Sequence, residues 1–181
     1  IEARGIEVPV VGSFNNPGKL SPSTLGTWAA ILRALPAARL LLSTRNLGDP
    51  TACRRLRRRF RELGVEPERL LLRPGIPDMA RHLASYGEID IGLDPFPYNG
   101  TTTTLETLWM GVPVVALLGD RHAARVSAAL LHRIGLSELV AADVDGYVAT
   151  AVGLARDLDR LASLRAGLRA RMQASPVMDA T

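Results

Sequence analysis

Hydrophobic residues in this chain fall into short continuous runs, separated by stretches in which apolar positions recur at helical spacing. That alternation predicts strand and helix in turn from one end to the other. The β-branched run at 8–14 reads as a first strand. Asn15-Asn16-Pro17-Gly18-Lys19 is a loop of turn residues, and Ser21-Pro22 then supplies an N-cap followed by proline at the first helical position. Leu25, Trp28, Ala29, Leu32 and Leu35 share one face of the helix that follows, and Pro36 ends it. Further strands are predicted at 39–43, 69–73, 89–93 and 112–117, with a very short one at 139–140. Helices are predicted at 51–63 with Gly64 as C-cap, after Pro77, from the threonines at 101–104, at 122–132, from the cap Asp143 to 157, and at 158–173. The tail from Ser175 onward reads as loose.

The strands are apolar throughout rather than alternately apolar and polar. A strand of that kind is buried on both faces, which is the mark of a parallel sheet covered by helices on each side. The fold class expected is therefore α/β, a three-layer Rossmann-like parallel sheet. Ligands of such sheets bind at the carboxyl ends of the strands. Several polar residues fall there: Asn16 and Lys19 after the first strand, Pro77 to His82 after the third, and Thr101 to Glu106 after the fourth. No Gly-x-Gly-x-x-Gly follows the first strand and no Gly-x-x-x-x-Gly-Lys-Ser/Thr occurs, which argues against ordinary dinucleotide and P-loop sites.

The stretch at 94–111 carries the most chemistry. A strand, the turn Asn99-Gly100 and four threonines lead into Leu105, Leu108 and Trp109 at helical spacing. The first turn of a helix leaves backbone N–H groups unpaired at the positive end of its dipole, where a phosphate can sit. Thr103-x-x-Glu106 also fits a capping box, in which the two side chains would satisfy the helix's own donors. These residues alone leave both readings open, although four consecutive threonines exceed what a cap needs. Lys19 is the single lysine of a chain with 21 arginines, and reads either as a point charge for a phosphate or as a loop residue in solvent. His82 reads either as a histidine satisfied by its neighbours or as a ring offered to a ligand. Asp94 is placed to turn the chain at a strand end and Tyr98 to line a cleft, while Trp28 and Trp109 read as core.

With 181 residues, 47% of them hydrophobic, the chain suits a single domain, 1–181, with a sizeable core. Cys53 is the sole cysteine, so neither an internal disulfide nor a cysteine cluster for zinc can form, and His122 and His132 lack metal-like spacing. No apolar run approaches the roughly 18 residues that cross a bilayer, and the first residues do not resemble a signal peptide. A cytoplasmic protein without a membrane partner is the expectation. The net charge is +4, and six arginines crowd into 54–61. Phe60 is the one aromatic among them, so a solvated helix face is expected rather than a nucleic-acid surface.

Two stretches resemble a known family. Residues 14–25, Phe-Asn-Asn-Pro-Gly-Lys-Leu-Ser-Pro-Ser-Thr-Leu, are similar to the opening of the C-terminal catalytic lobe of the O-linked N-acetylglucosaminyltransferases, the SPINDLY-like group. Residues 94–113, Asp-Pro-Phe-Pro-Tyr-Asn-Gly-Thr-Thr-Thr-Thr-Leu-Glu-Thr-Leu-Trp-Met-Gly-Val-Pro, resemble that family's nucleotide-sugar signature, and 121–135 also fits. The resemblance implies the C-terminal lobe of a two-lobed GT-B glycosyltransferase that holds UDP-N-acetylglucosamine or another UDP-sugar as donor, with no metal or other cofactor. By position it implies that Lys19 contacts the diphosphate and supports departure of the leaving group, with Asn16 near the same phosphates. Thr102 and Thr103 would bind the diphosphate at the helix start, beside Thr101. Glu106 would bind the ribose, His82 would lie against the uridine, and Ile76-Pro77 would present backbone groups to the uracil.

Thr101 stands where animal enzymes have histidine, and the lysine they carry shortly before the uridine-binding histidine is replaced here by the region of Asp78 and Met79. The family's N-terminal lobe, tetratricopeptide repeats and proposed catalytic histidine have no counterpart in these residues. The chain is accordingly expected to be a donor lobe from a larger enzyme, inactive in transfer alone, with an acceptor protein or peptide reached through the other lobe. Two alternatives share the fold: a GT-B transferase with another donor or acceptor, and a non-catalytic scaffold for protein association.

Overall fold

The computed structural model describes residues 9–179. Val8 of the expected first strand, the N-terminal residues and the last two residues of the tail lie outside them. Six strands form one parallel sheet: β1 Val10–Ser13, β2 Arg39–Ser43, β3 Leu70–Arg73, β4 Ile91–Leu93, β5 Val114–Leu117 and β6 Val140–Ala141. Their order across the sheet is β3-β2-β1-β4-β5-β6. Seven helices connect and cover them: α1 Pro22–Ala34, α2 Pro50–Glu62, α3 Met79–Ser85, α4 Thr102–Trp109, α5 Val126–Arg133, α6 Val144–Arg156 and α7 Leu158–Gln173.

Successive residues of a strand point to opposite faces, and the two cores follow from that. Val11, Leu40 and Leu42 face the larger core with Trp28, Phe60 and Tyr147. Val10 and Leu41 face the other way, toward Phe14, Tyr86, Ile89 and Val112. The register is continuous through the centre, with Val11 opposite both Leu40 and Ile91. Trp28 is fully buried as expected and donates its indole N–H to the Tyr147 hydroxyl at 3.2 Å. Trp109 is only half-buried, and the Arg169 guanidinium lies 5.1 Å over its ring.

The structure corrects several boundaries. The helix after Pro77 starts at Met79, because the Asp78 carboxylate accepts the Arg81 N–H at 2.8 Å and makes Asp78 the cap. The helix predicted over 122–132 is broken into a 3₁₀ turn at His122–Ala124 and α5. The cause lies outside that segment: the carbonyls of Ala123 and Ala124, which a continuous helix would use, accept from Asn99 N–H at 2.8 Å and Gly119 N–H at 2.9 Å. β4 starts two residues later than expected, since Ile89 closes a 3₁₀ turn at Tyr86–Glu88. In the tail, Met178 N–H returns to the Ser175 carbonyl at 3.2 Å and Val177 packs on the core. No helix among the described residues is long and apolar enough to cross a membrane.

Candidate functional site

In this strand order the connections leave β1 toward one edge of the sheet and β4 toward the other. The crevice beyond the carboxyl ends of β1 and β4 is therefore the topological switch point, the place where doubly wound sheets hold ligands. The loops after these two strands are the 15–20 and 94–101 segments.

The first loop is a turn held by its own residues. Asn16 accepts the Gly18 N–H on its side-chain oxygen at 2.9 Å, capping a 3₁₀ turn at Pro17–Lys19. That turn carries the Lys19 ammonium to the second loop, where it donates to the Asn99 carbonyl at 2.8 Å and lies 4.4 Å over the Tyr98 ring. Partial burial lowers the pKa of Lys19, and the Asp94 carboxylate opposes that shift.

Four elements clamp the second loop. The Ser21 and Thr24 hydroxyls, at the start of α1, donate to the Phe96 carbonyl at 2.9 and 2.6 Å. Tyr147 of α6 donates its hydroxyl to the Asp94 carbonyl at 3.0 Å, and Ser127 of α5 donates to the Gly100 carbonyl at 3.1 Å. The Asp94 carboxylate accepts the Gly100 N–H at 2.8 Å and the Thr104 hydroxyl at 3.3 Å. A Cβ on Gly100 would lie 2.5 Å from the Thr104 hydroxyl oxygen and 3.0 Å from the Asp94 carboxylate, so any larger residue would have to push these side chains aside.

The turn delivers the chain into α4. Thr101 is the N-cap residue and makes no side-chain capping bond, and no acidic residue occupies the first turn. The capping-box alternative fails on Glu106, whose carboxylate turns sideways and accepts the Tyr86 hydroxyl at 2.8 Å, with His82 Nε2 at 3.3 Å. Thr101 and Thr102 are exposed and Thr103 is half-buried, so hydroxyls and helix-end N–H groups face outward together. Burial and the Glu106 carboxylate push the Tyr86 pKa strongly upward, keeping its hydroxyl a donor.

Beside this mouth is a cleft of about 270 Å³, lined among others by Thr44, Arg45, Ile76, Pro77, His82 and Glu106. The His82 ring stands edge-on to Phe14 and Tyr86, at 5.9 and 5.4 Å between centroids, and those two stack at 4.2 Å. A Cβ on Gly75 would lie 2.8 Å from the Arg45 backbone nitrogen, so glycine lets the chain after β3 close against the end of β2. The structure thus brings Ile76, Pro77, His82 and Glu106 into one cleft, with Thr101, Thr102 and Thr103 at the N-terminal end of the helix that carries Glu106 and Lys19 on the turn bonded to Asn99. Asn16 spends its side-chain oxygen on its own turn. Sequence reasoning missed Phe14, Thr44, Arg45 and Tyr86. Thr44 and Arg45 directly follow β2, so the strand-end rule applied to every strand would have found them.

A parallel sheet of this order, with such a crevice, defines the class: the structural neighbours are glycosyltransferases of the GT-B type. The glycosyl transferase family 41 profile matches residues 7–181, and the chain belongs to that family. It is 45% identical over 172 residues to a probable UDP-N-acetylglucosamine–peptide N-acetylglucosaminyltransferase SPINDLY of Solanum lycopersicum, covering 93% of this chain and 18% of that protein. It is 33% identical over 168 residues to the UDP-N-acetylglucosamine–peptide N-acetylglucosaminyltransferase of Caenorhabditis elegans, covering 92% of this chain and 14% of that protein. Among solved structures, a mutant of the Thermobaculum terrenum O-GlcNAc transferase superposes with a TM-score of 0.87 at 47% identity, covering 92% of this chain and 32% of that one. Anabaena HepE, in complex with UDP and glucose, shares the fold at a TM-score of 0.62 and 19% identity, over 91% of this chain and 43% of that one. The chain thus spans less than a fifth of the length of the curated relatives it matches.

Proposed function

We propose that this chain is the nucleotide-sugar donor lobe of a protein O-glycosyltransferase, taking UDP-N-acetylglucosamine or another UDP-sugar. The observation that carries the reading is the mouth of α4. It is left uncapped by its own side chains, flanked by the Lys19 ammonium, and joined through Glu106 to a cleft of base size. The family relatives are named for UDP-N-acetylglucosamine and peptide, which agrees with that arrangement.

In this reading the diphosphate sits on the N–H groups and hydroxyls of Thr101, Thr102 and Thr103, with Lys19 beside it. The uracil enters the cleft between His82 and the backbone of Ile76-Pro77, and Glu106 accepts from the ribose hydroxyls. When an acceptor hydroxyl attacks the anomeric carbon, the glycosidic bond to UDP breaks and negative charge grows on the departing diphosphate. Donors fixed in advance stabilise that charge more in the transition state than in the ground state, which is what accelerates transfer. The ammonium and the helix end do this without a divalent metal. The acceptor protein or peptide is presented by a second lobe, and the lobe described here holds UDP without transferring sugar by itself.

Calorimetric titration of UDP into the chain tests the reading directly. Saturable binding that weakens in Lys19→Ala and in the Thr102→Ala, Thr103→Ala double variant is the expected outcome. Unchanged binding in both would remove the diphosphate from this mouth.

A further inference from the structure

Asp94 directly follows β4, beneath the turn that opens α4, and it is 1% exposed. One carboxylate oxygen, Oδ1, is occupied by the Gly100 N–H and the Thr104 hydroxyl. The other, Oδ2, meets no hydrogen-bond donor among the described residues. The groups facing it are few. α4 and α5 offer the neutral hydroxyls of Thr104 and Ser127, and α6 offers Tyr147, whose ionisation is opposed by burial and by Asp94 itself. The cation acting on Asp94 is Lys19, from the loop after β1. That ammonium is hydrogen-bonded to the Asn99 carbonyl rather than to Asp94. It therefore acts on the carboxylate through space, as a smaller influence than the hydrogen bonds Asp94 accepts, while standing at the rim where an anion would meet it.

We infer that Asp94 is a positioning residue that exchanges its Lys19 countercharge for a proton when a diphosphate occupies the mouth of α4. This rests on the donor-lobe reading and extends it to a group the ligand does not touch. An arriving diphosphate claims the ammonium and adds negative charge above a carboxylate that the fold leaves only 1% exposed. A buried charge stripped of its partner is expensive, and a titratable group neutralises instead. The proton comes from solvent and has a place on Oδ2, the oxygen with no donor. Oδ1 keeps the Gly100 N–H, so the turn that shapes the mouth holds its geometry in either state. In the free chain, burial pushes the Asp94 pKa up to about 7, which brings the exchange into the neutral range.

The test is titration of UDP at pH 7 in buffers of different ionisation enthalpy, with the chain and with Asp94→Asn. UDP exchanges protons of its own, so the difference between the two proteins is the readout. A group titrating near pH 7 is half protonated there, and the chain is expected to take up as much as about half a proton more per UDP than the variant. Equal proton counts with UDP bound would overturn the inference. Carbon-13 titration of the Asp94 carboxyl provides an arm that does not need the variant to fold. Its midpoint is expected to rise on adding UDP, and to rise in the ligand-free chain in Lys19→Ala; an unmoved midpoint in either overturns the exchange. UDP that fails to bind at all overturns the donor-lobe reading, and the Lys19→Ala titration still decides whether the two groups are coupled.

Discussion

Two regions of this molecule carry positive charge, and they are built in opposite ways. α2 displays six arginines between 54 and 61, several in solvent, with Arg58 and Arg59 pairing with Glu62 at 3.9 and 3.2 Å on an exposed face. The mouth of α4 has a single ammonium, half-buried and held at 2.8 Å by a backbone carbonyl. Larger hollows lie beside α2, of about 520 and 540 Å³ against about 270 Å³ for the cleft beside His82. Volume and charge count both favour α2, and the proposed site follows neither. Guanidinium groups in water gain little from any one partner and keep their side-chain freedom. At the mouth of α4, one cation, two loops and a helix end are fixed in direction before any ligand arrives, and fixed donors are what recognise an anion.

The largest expected effect probes how firmly the mouth is built over its buried acid. Because the folded-state pKa of Asp94 is raised from 3.8 to about 7, the folded chain holds this proton more tightly than the unfolded one. The stability it contributes is complete below about pH 4 and is lost as pH rises through about 7. Urea unfolding should therefore show the chain losing stability relative to Asp94→Asn across that window, by at most about 4 kcal/mol. A difference that does not vary with pH would mean the acid is not buried as described.

Next in size is Lys19→Ala, expected to weaken UDP binding by about 10- to 100-fold, the scale of one charge-assisted hydrogen bond. Gly100→Ala forces a Cβ to within 2.5 Å of the Thr104 oxygen and should cost about 1–3 kcal/mol in urea unfolding, weakening UDP binding as the turn shifts. Smallest is a triple substitution of Arg54, Arg55 and Arg61 to glutamine. It should change stability by no more than about 0.5 kcal/mol per site and leave UDP affinity unmoved. A UDP affinity that tracked these arginines rather than Lys19 would reverse the contrast between the two regions.

What the residues announced in advance is what depends on neighbours in the chain. Continuous apolar runs gave the strands, Ser21-Pro22 the start of α1, and the threonines the start of α4. What they withheld depends on partners far away in sequence. Thr103 and Glu106 satisfy the spacing of a capping box, and only the Tyr86 hydroxyl, 20 residues earlier, shows which way the carboxylate turns. Nothing local in 122–125 shows that its carbonyls serve Asn99 and Gly119. Asp94 read as a strand-end turn residue, and its burial comes from Tyr147 of α6 and Ser127 of α5 closing over it.

The bond from Tyr86 to Glu106 has a mechanical consequence. The carboxylate belongs to the helix that would seat the phosphates, while its hydroxyl partner immediately follows the helix that carries His82. Tethered in this manner, the two ends of the proposed site are coupled, and the interval between them would serve as a ruler. A nucleotide held as proposed would then be gauged by its length from ring to pyrophosphate as much as by the atoms at either end.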